Sequence, residues 1–157
     1  MLPLWLPFSY RRYYEQSILF FAQGLLACNA VLWAGPGIDV LLTGIRTRSE
    51  GDFKPLPTAA LALAVFIAFH FMFRMIVRRN IHFVISKTEP RIPFWEMMPL
   101  HTWLTLLFFM LLGITLKHTG IAPPFFTAFF YCGLGVALIE AGIKYLIEGI
   151  KFSPTKL

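Results

Sequence analysis

Four long apolar stretches constrain the fold of this chain more than any other feature of its sequence. They cover residues 14–34, 58–79, 100–116 and 125–147. A helix needs about 20 mostly apolar residues to cross the hydrocarbon core of a bilayer, where its backbone polar groups must be satisfied within the segment itself. The sequence therefore predicts an all-α integral membrane protein with four transmembrane helices, which form two helical hairpins in a single domain over residues 1–157.

The overall composition supports this fold class. Hydrophobic residues make up 57% of the chain and charged residues only 14%, whereas about 25% of the residues in a soluble domain are charged. The lipid bilayer is therefore the expected surrounding of most side chains. The net charge of +6 comes from basic residues that stand beside the apolar stretches and form no recognition motif, so nucleic acid is not expected as a partner.

Proline and glycine residues mark the predicted helix boundaries. The run Gly35-Pro36-Gly37 is expected to stop the first helix, and prolines precede each of the other three. Residues 35–57 would then form an external loop. Its apolar piece, residues 38–45, either lies along the membrane surface, which we favour, or dips into the membrane. Residues 1–13, of which the first eight are apolar but broken by two prolines, are predicted to form an interfacial arm.

Basic residues are distributed unevenly between the two sides of this topology. Ten of the 14 fall in or beside the N-terminal arm, the middle loop and the C-terminal tail, and four fall on the opposite side. The positive-inside rule then places both termini in the cytoplasm, in what we expect to be a bacterial cytoplasmic (inner) membrane. Helices 2 and 4 are predicted to continue as amphipathic cytoplasmic extensions. All four tryptophans fall near predicted helix ends and are expected to anchor them at the interface.

A basic stripe runs along the second helix, where His70, Arg74, Arg78 and His82 recur at every fourth position and so share one face. Arg74, Arg78 and the adjacent Arg79 are predicted to reach the cytoplasmic headgroups and to bind acidic phospholipids or another anion. His70 lies deeper. It either makes a hydrogen bond to a neighbouring helix or belongs to an anion or proton pathway.

The fourth helix carries a second charged stripe, Glu140, Lys144 and Glu148, whose spacing permits pairs within the helix. His70, Glu140 and Lys144 are thus the candidate intramembrane ionisable residues. Glu140 is expected to lie deep in the membrane, and Arg74 on the parallel second helix is its predicted partner between helices. Such a clasp is either purely structural, which we favour, or part of a functional site.

Small residues at the same spacing predict close helix packing. They are Ala60, Ala64 and Ala68 in the second helix and Gly133, Ala137 and Ala141 in the fourth. If the two stripes faced each other, Arg74 would point away from Glu140, because it lies about 120° from the alanine face. The alanine contact and the clasp therefore compete. In the first helix, Gln23 and Asn29 are each expected to hydrogen-bond to a neighbouring helix.

The sequence predicts no cofactor. A haem shared by His70 and His101 is disfavoured because the two histidines lie at different membrane depths, and His82 and His118 fall outside the core on opposite sides. Cys28 and Cys132 lie within apolar segments and are expected to behave as small hydrophobes. No serine triad, phosphate loop or redox motif indicates an enzyme.

We therefore expect a non-catalytic subunit of a larger cell-envelope complex that serves secretion, conjugation or transport, with partner subunits or other copies of the chain. The segment between Lys87 and Pro99, rich in apolar residues that its prolines keep from forming a continuous helix, motivates this hypothesis. Its apolar side chains are expected to bury either against the membrane surface, which we slightly favour, or against another protein. Two alternatives stay open. One is a small oligomeric transporter or channel that uses Glu140, Arg74 and His70, and the other is a lipid-handling membrane enzyme.

Overall fold

A computed structural model describes residues 8–86, 98–119 and 122–151 of the chain. Over these residues it is all helical, without strands, and the four helices are α1 (Phe8–Glu50), α2 (Pro55–Ser86), α3 (Leu100–Thr119) and α4 (Pro124–Lys151). Three helical segments are long and apolar enough to cross a membrane, namely Phe20–Glu50, Pro55–Val84 and Pro124–Lys151, while the apolar stretch of α3, Leu100–Leu116, is shorter. This composition is compatible with an integral membrane protein.

The largest departure from the sequence prediction is in α1. The helix does not stop at Gly35 but continues through Pro36 to Glu50, over 43 residues, or about 64 Å at 1.5 Å per residue. The predicted first helix end and the predicted loop over residues 35–57 are therefore wrong, and residues 51–54 make the connection to α2. The apolar piece 38–45 is part of α1. Residues 8–13 of the predicted interfacial arm are helical too, and residues 1–7 lie outside the described residues.

Packing against α4 explains why α1 continues. The two helices are antiparallel and form the most extensive contact in the described structure, with Leu26 opposite Gly149 at one end and Gly44 opposite Cys132 at the other. Gly37 lies directly against Leu138. A proline inside a helix costs about 3 kcal/mol, and burial of a single large apolar side chain contributes about 1.5–3 kcal/mol. A continuous contact of this length outweighs the cost of the proline.

The remaining helices complete the bundle around this pair. α2 runs parallel to α4 and touches it closely at Gly133, which lies against Ala62 and Val65. α3 reaches its neighbours mainly through side chains, because the ring of Phe109 packs edge-on against rings of α2, with centroids 5.4–5.5 Å apart. The Tyr131 hydroxyl of α4 donates a hydrogen bond to the backbone oxygen of Gly113 in α3 at 2.9 Å.

Trp33 lies at the centre of the core and not at an interface. It is fully buried, and its ring packs 5.2 Å from that of Phe73 and 6.4 Å from that of Tyr145. The prediction that Trp33 anchors a helix end is wrong because α1 extends well beyond Ala34. Trp103 is half-buried and packs against the core, and Trp5 and Trp95 lie outside the described residues.

A buried polar group joins three helices beside Trp33. The Asn80 amide of α2 donates to the side-chain oxygen of Asn29 in α1 at 2.8 Å and to the hydroxyl of Tyr145 in α4 at 3.0 Å. Asn29 in turn donates to the backbone oxygen of Leu25 at 2.8 Å. The prediction that Asn29 bonds to a neighbouring helix is confirmed. These contacts fix the rotation of α1, α2 and α4 about their axes.

Candidate functional site in the cleft between α2 and α4

The cleft between α2 and α4 brings together His70, Glu140 and Lys144, the three predicted intramembrane ionisable residues. Nδ1 of His70 lies 2.7 Å from Oε2 of Glu140, and Nζ of Lys144 lies 2.6 Å from Oε1 of the same carboxylate. Because α2 and α4 run in parallel at close range, a side chain on α2 reaches Glu140 at its own level. Lys144 reaches it from one turn further along α4, at the i,i+4 spacing that favours such pairs.

The three side chains are only partly shielded, since between 26% and 30% of each is exposed. Among the described residues, each carboxylate oxygen of Glu140 has one nitrogen donor, from His70 or from Lys144. With Nδ1 donating to Glu140, the Nε2 atom of a neutral His70 ring is an acceptor, and protonation of the ring turns it into a second donor. The ring of Phe66 packs 5.7 Å from that of His70 and fixes its orientation within the cleft.

A hollow of about 280 Å³ opens beside this pair. In addition to His70, Glu140 and Lys144, it is lined by the side chains of Arg74, Val77, Arg78, Ile81 and Glu148. Arg74 and Arg78 are exposed. Three fixed positive charges face two negative ones, so the hollow as a whole favours an anionic group.

A second hollow, of about 380 Å³, lies on the outer side of the same arginines. It is lined by Phe71, Arg74, Met75, Arg78 and Arg79. Arg74 and Arg78 thus border both hollows, and Arg79 borders the outer one. The outer hollow combines guanidinium groups with the apolar side chains of Phe71 and Met75, a combination that suits an anionic headgroup with an attached apolar chain.

The predicted clasp between Arg74 and Glu140 is replaced by a different pair. The α2 residue that bonds to Glu140 is His70, and Arg74 lines the hollow beyond it. The sequence spacing allowed both partners, because His70 and Arg74 lie one turn apart on one face. The level of Glu140 along α4, opposite His70, decides between them.

The two small-residue stripes do not face each other. Gly133, Ala137 and Ala141 of α4 are buried, whereas Ala60, Ala64 and Ala68 of α2 are exposed. α2 instead turns Phe69 and Phe73 inwards, where they fill the space between α2, α3 and α4. Their larger apolar area gains more from burial than alanine would. The alanine stripe is therefore rotated away from α4.

The other predicted candidates lie apart from the cleft. His82 and His101 are exposed on α2 and at the start of α3, and the side chain of His118 is not among those described. Within residues 8–86, 98–119 and 122–151 no three His, Cys, Asp or Glu residues converge as metal ligands would. Sequence reasoning missed Asn80, which follows the predicted end of the second span.

Comparison of the chain with protein-family models, with curated proteins and with solved structures finds no match. We therefore interpret the cleft from its own geometry.

Proposed function

We propose that the chain is a non-catalytic, multi-pass subunit of a larger cell-envelope complex that serves secretion, conjugation or transport. One observation carries this proposal, namely how little of α2 is covered by the rest of the described residues. Only 11% of the most apolar stretch of α2 is buried, against 50% of that of α4. A helix with so much uncovered surface is available to a partner helix as well as to lipid.

The composition of the uncovered face favours a partner helix. Ala60, Ala64 and Ala68 are exposed at four-residue spacing, and small residues let two helix backbones approach closely. The chain already uses this device within the bundle, where Gly133 lies directly against the α2 backbone. The alanine stripe of α2 offers the same surface to a helix of another subunit or of another copy of this chain.

The proposal includes an orientation. All four helices cross a bacterial cytoplasmic membrane, and both termini lie in the cytoplasm, because ten of the 14 basic residues then fall on the cytoplasmic side. α3 has 20 residues, about 30 Å at the helical rise, which matches the hydrocarbon thickness. In this orientation Arg74, Arg78 and Arg79 lie towards the cytoplasmic leaflet, where they bind acidic phospholipids.

Purification of the affinity-tagged chain in mild detergent, expressed from its own locus, tests the proposal. We expect stoichiometric partner proteins or a defined oligomer. Ala64→Trp should dissociate them because the ring prevents close approach. Leu63→Trp serves as the matched control, since Leu63 is also exposed but lies about 100° around the helix. A lone monomer, or equal retention of the partner by both variants, would contradict the proposal.

A second candidate function, a small oligomeric transporter, is favoured by the cleft itself. His70, Glu140 and Lys144 form a continuous set of ionisable groups that opens into a hollow with Arg74 and Arg78, and ionisable groups at this depth often mark ion pathways. Purified protein in liposomes should then move protons or anions. Glu140→Gln should stop this flux, while Glu50→Gln, at the exposed end of α1, should leave it intact. Equal flux in both variants would exclude the cleft as the pathway.

A further inference from the structure

The two hollows on either side of Arg74 and Arg78 share these arginines as a common wall. The inner hollow, the one between α2 and α4, has a volume of about 280 Å³, and the outer hollow has about 380 Å³. Arg79 borders the outer hollow alone. Because Arg74 and Arg78 lie one turn apart, their backbone positions are separated by only about 6 Å along α2. Two ligand groups, one in each hollow, can therefore contact the same pair of arginines.

The three arginines of α2 at these hollows carry more positive charge than their surroundings neutralise. All three side chains are exposed, and none forms an ion pair with another described residue. The carboxylates that line the hollows are Glu140, which is already paired with Lys144, and Glu148. The single negative charge of Glu148 thus faces three guanidinium groups. About two positive charges are left to attract an anionic ligand.

Each hollow combines this charge with apolar side chains. Phe71 and Met75 line the outer hollow, and Val77 and Ile81 line the inner one. A phosphate group with attached acyl chains needs both kinds of surface, since guanidinium groups bind phosphate oxygens through paired N–H donors and the chains lie against apolar side chains. Each hollow therefore suits one phosphatidyl unit, the part of a phospholipid that consists of a phosphate on a diacylglycerol.

We propose that the two hollows together bind one phospholipid molecule that has two phosphate groups joined by a short polar bridge, as in diphosphatidylglycerol (cardiolipin). One phosphate lies in each hollow, Arg74 and Arg78 contact both, and Arg79 contacts the outer phosphate alone. The two negative charges of this lipid match the positive charge that the hollows leave uncompensated. A lipid with one phosphate matches only half of it.

This lipid site deepens one part of the proposed function, the binding of acidic phospholipids by these arginines, and rests on it. It does not depend on partner subunits. Ala64→Trp, which tests the association with partners, changes a residue that lines neither hollow and should leave lipid binding unchanged. Loss of partner proteins and loss of lipid selectivity are therefore separate results.

Native mass spectrometry of the purified full-length chain tests this site, because it counts the lipid molecules bound to each protein. Cardiolipin and phosphatidylglycerol are titrated separately. We expect the first cardiolipin to bind at least about tenfold more tightly than the first phosphatidylglycerol, because its second phosphate binds as part of the same molecule. Farnesyl diphosphate, with adjacent phosphates on one apolar chain, and inorganic phosphate should not displace cardiolipin at about tenfold excess. Equal affinity of the two phospholipids, or displacement by either competitor, would overturn the proposal.

Two variants locate the site and separate the effect of the phosphates from that of the additional acyl chains of cardiolipin. Arg78→Gln removes a charge that borders both hollows and should reduce the preference for cardiolipin to less than about threefold, because each phosphate then loses a contact. Lys151→Gln removes an exposed charge at the end of α4 that lines neither hollow and should keep the preference. Full preference in Arg78→Gln, or an equal loss in both variants, would refute the assignment.

Discussion

Single residues hold α1, α2 and α4 together through the hydrogen bonds of Asn29, Asn80 and Tyr145. All three side chains are fully buried, so that water cannot replace a partner that is lost. Within a membrane such bonds contribute about 0.6 kcal/mol on average and up to about 1.7 kcal/mol. Asn80 makes two of them, one to each neighbouring helix, and is therefore the most consequential member of the group.

Replacement of Asn80 tests how much these buried hydrogen bonds stabilise the protein. We expect Asn80→Ala to lower the free energy of unfolding by about 1–3 kcal/mol, because it leaves Asn29 and Tyr145 with unpaired buried atoms. Ser86→Ala removes a hydrogen bond at the exposed end of the same helix and should change it by less than about 0.5 kcal/mol. Denaturation in mixed micelles measures the free energy of unfolding of both variants. If Asn80→Ala lowered it as little as Ser86→Ala does, the buried polar group would not hold the helices together.

The ion pair in the cleft has a second test, a double-mutant cycle. His70 and Glu140 should show a coupling energy of about 0.5–1.5 kcal/mol in unfolding measurements, since their atoms are in direct contact. Arg74 and Glu140, which sequence spacing alone would also pair, should show less than about 0.5 kcal/mol. If the coupling energy were larger for Arg74 and Glu140 than for His70 and Glu140, Arg74 would be the partner of Glu140 after all.

Sequence reasoning identified His70, Glu140 and Lys144 because ionisable residues inside apolar stretches are conspicuous. It chose the wrong partner for Glu140, since the rotation and level of α2 against α4 depend on which large side chains fill the core.

At the scale of the helices, α1 shows why local rules can fail. Gly35, Pro36 and Gly37 together indicate the end of a helix, and nothing nearby in the sequence contradicts them. The opposing contribution comes from residues about a hundred positions away, where Gly135 of α4 lets Leu41 approach closely and Gly142 does the same for Ala30 and Ala34. The starts of α2, α3 and α4 agreed with the proline signals, because proline is tolerated before a helix and in its first turn.

Two glycines of α1 give a matched test of this packing. An added Cβ at Gly37 would come 2.9 Å from the Cβ of Leu138 and 3.0 Å from the backbone nitrogen of Ile139. Gly37→Ala should therefore destabilise the protein by about 1–3 kcal/mol. Gly24 has nothing within 4 Å, and Gly24→Ala should stabilise it by about 0.5–1 kcal/mol through helix propensity. If Gly37 lay in a loop, Gly37→Ala would be nearly neutral in the same unfolding assay.

At the scale of the whole molecule, the bundle is an α1–α4 pair against which α2 and α3 each place one face. The remaining faces of α2 and α3 expose large apolar residues such as Phe71, Leu104, Phe108 and Leu111. Composition was sufficient to predict an all-helical, membrane-compatible fold, since 57% of the residues are hydrophobic. It could not indicate which faces are covered, because that depends on how the four helices rotate about their axes.

Cysteine labelling tests the proposed orientation. In a background with both native cysteines replaced by alanine, Asp52→Cys lies in the α1–α2 connection and Ser86→Cys at the far end of α2, and both positions are exposed. A membrane-impermeant maleimide on intact cells, or on spheroplasts if an outer membrane intervenes, should label Asp52→Cys at once. Ser86→Cys should react only after the cytoplasmic membrane is permeabilised. Labelling in the opposite order would invert the topology.

The continuous α1 helix and its register with α4 are the basis of this architecture, and one disulfide tests both. A Cβ placed on Gly149 lies 3.4 Å from that of Leu26, close to the separation found in disulfides. If the first helix crossed the membrane over residues 14–34 instead, Leu26 would lie about 18 Å from the end at which α4 finishes. The two structures thus make opposite predictions for one pair of residues.

We expect Leu26→Cys combined with Gly149→Cys, in the background without native cysteines, to form an intramolecular disulfide in native membranes upon mild oxidation. Leu26→Cys combined with Ile150→Cys is the control, because Ile150 is 81% exposed on the neighbouring face of α4 and should give little product. A high yield for the Gly149 pair alone would establish the register. No disulfide in that pair, or equal yields in the two, would contradict it.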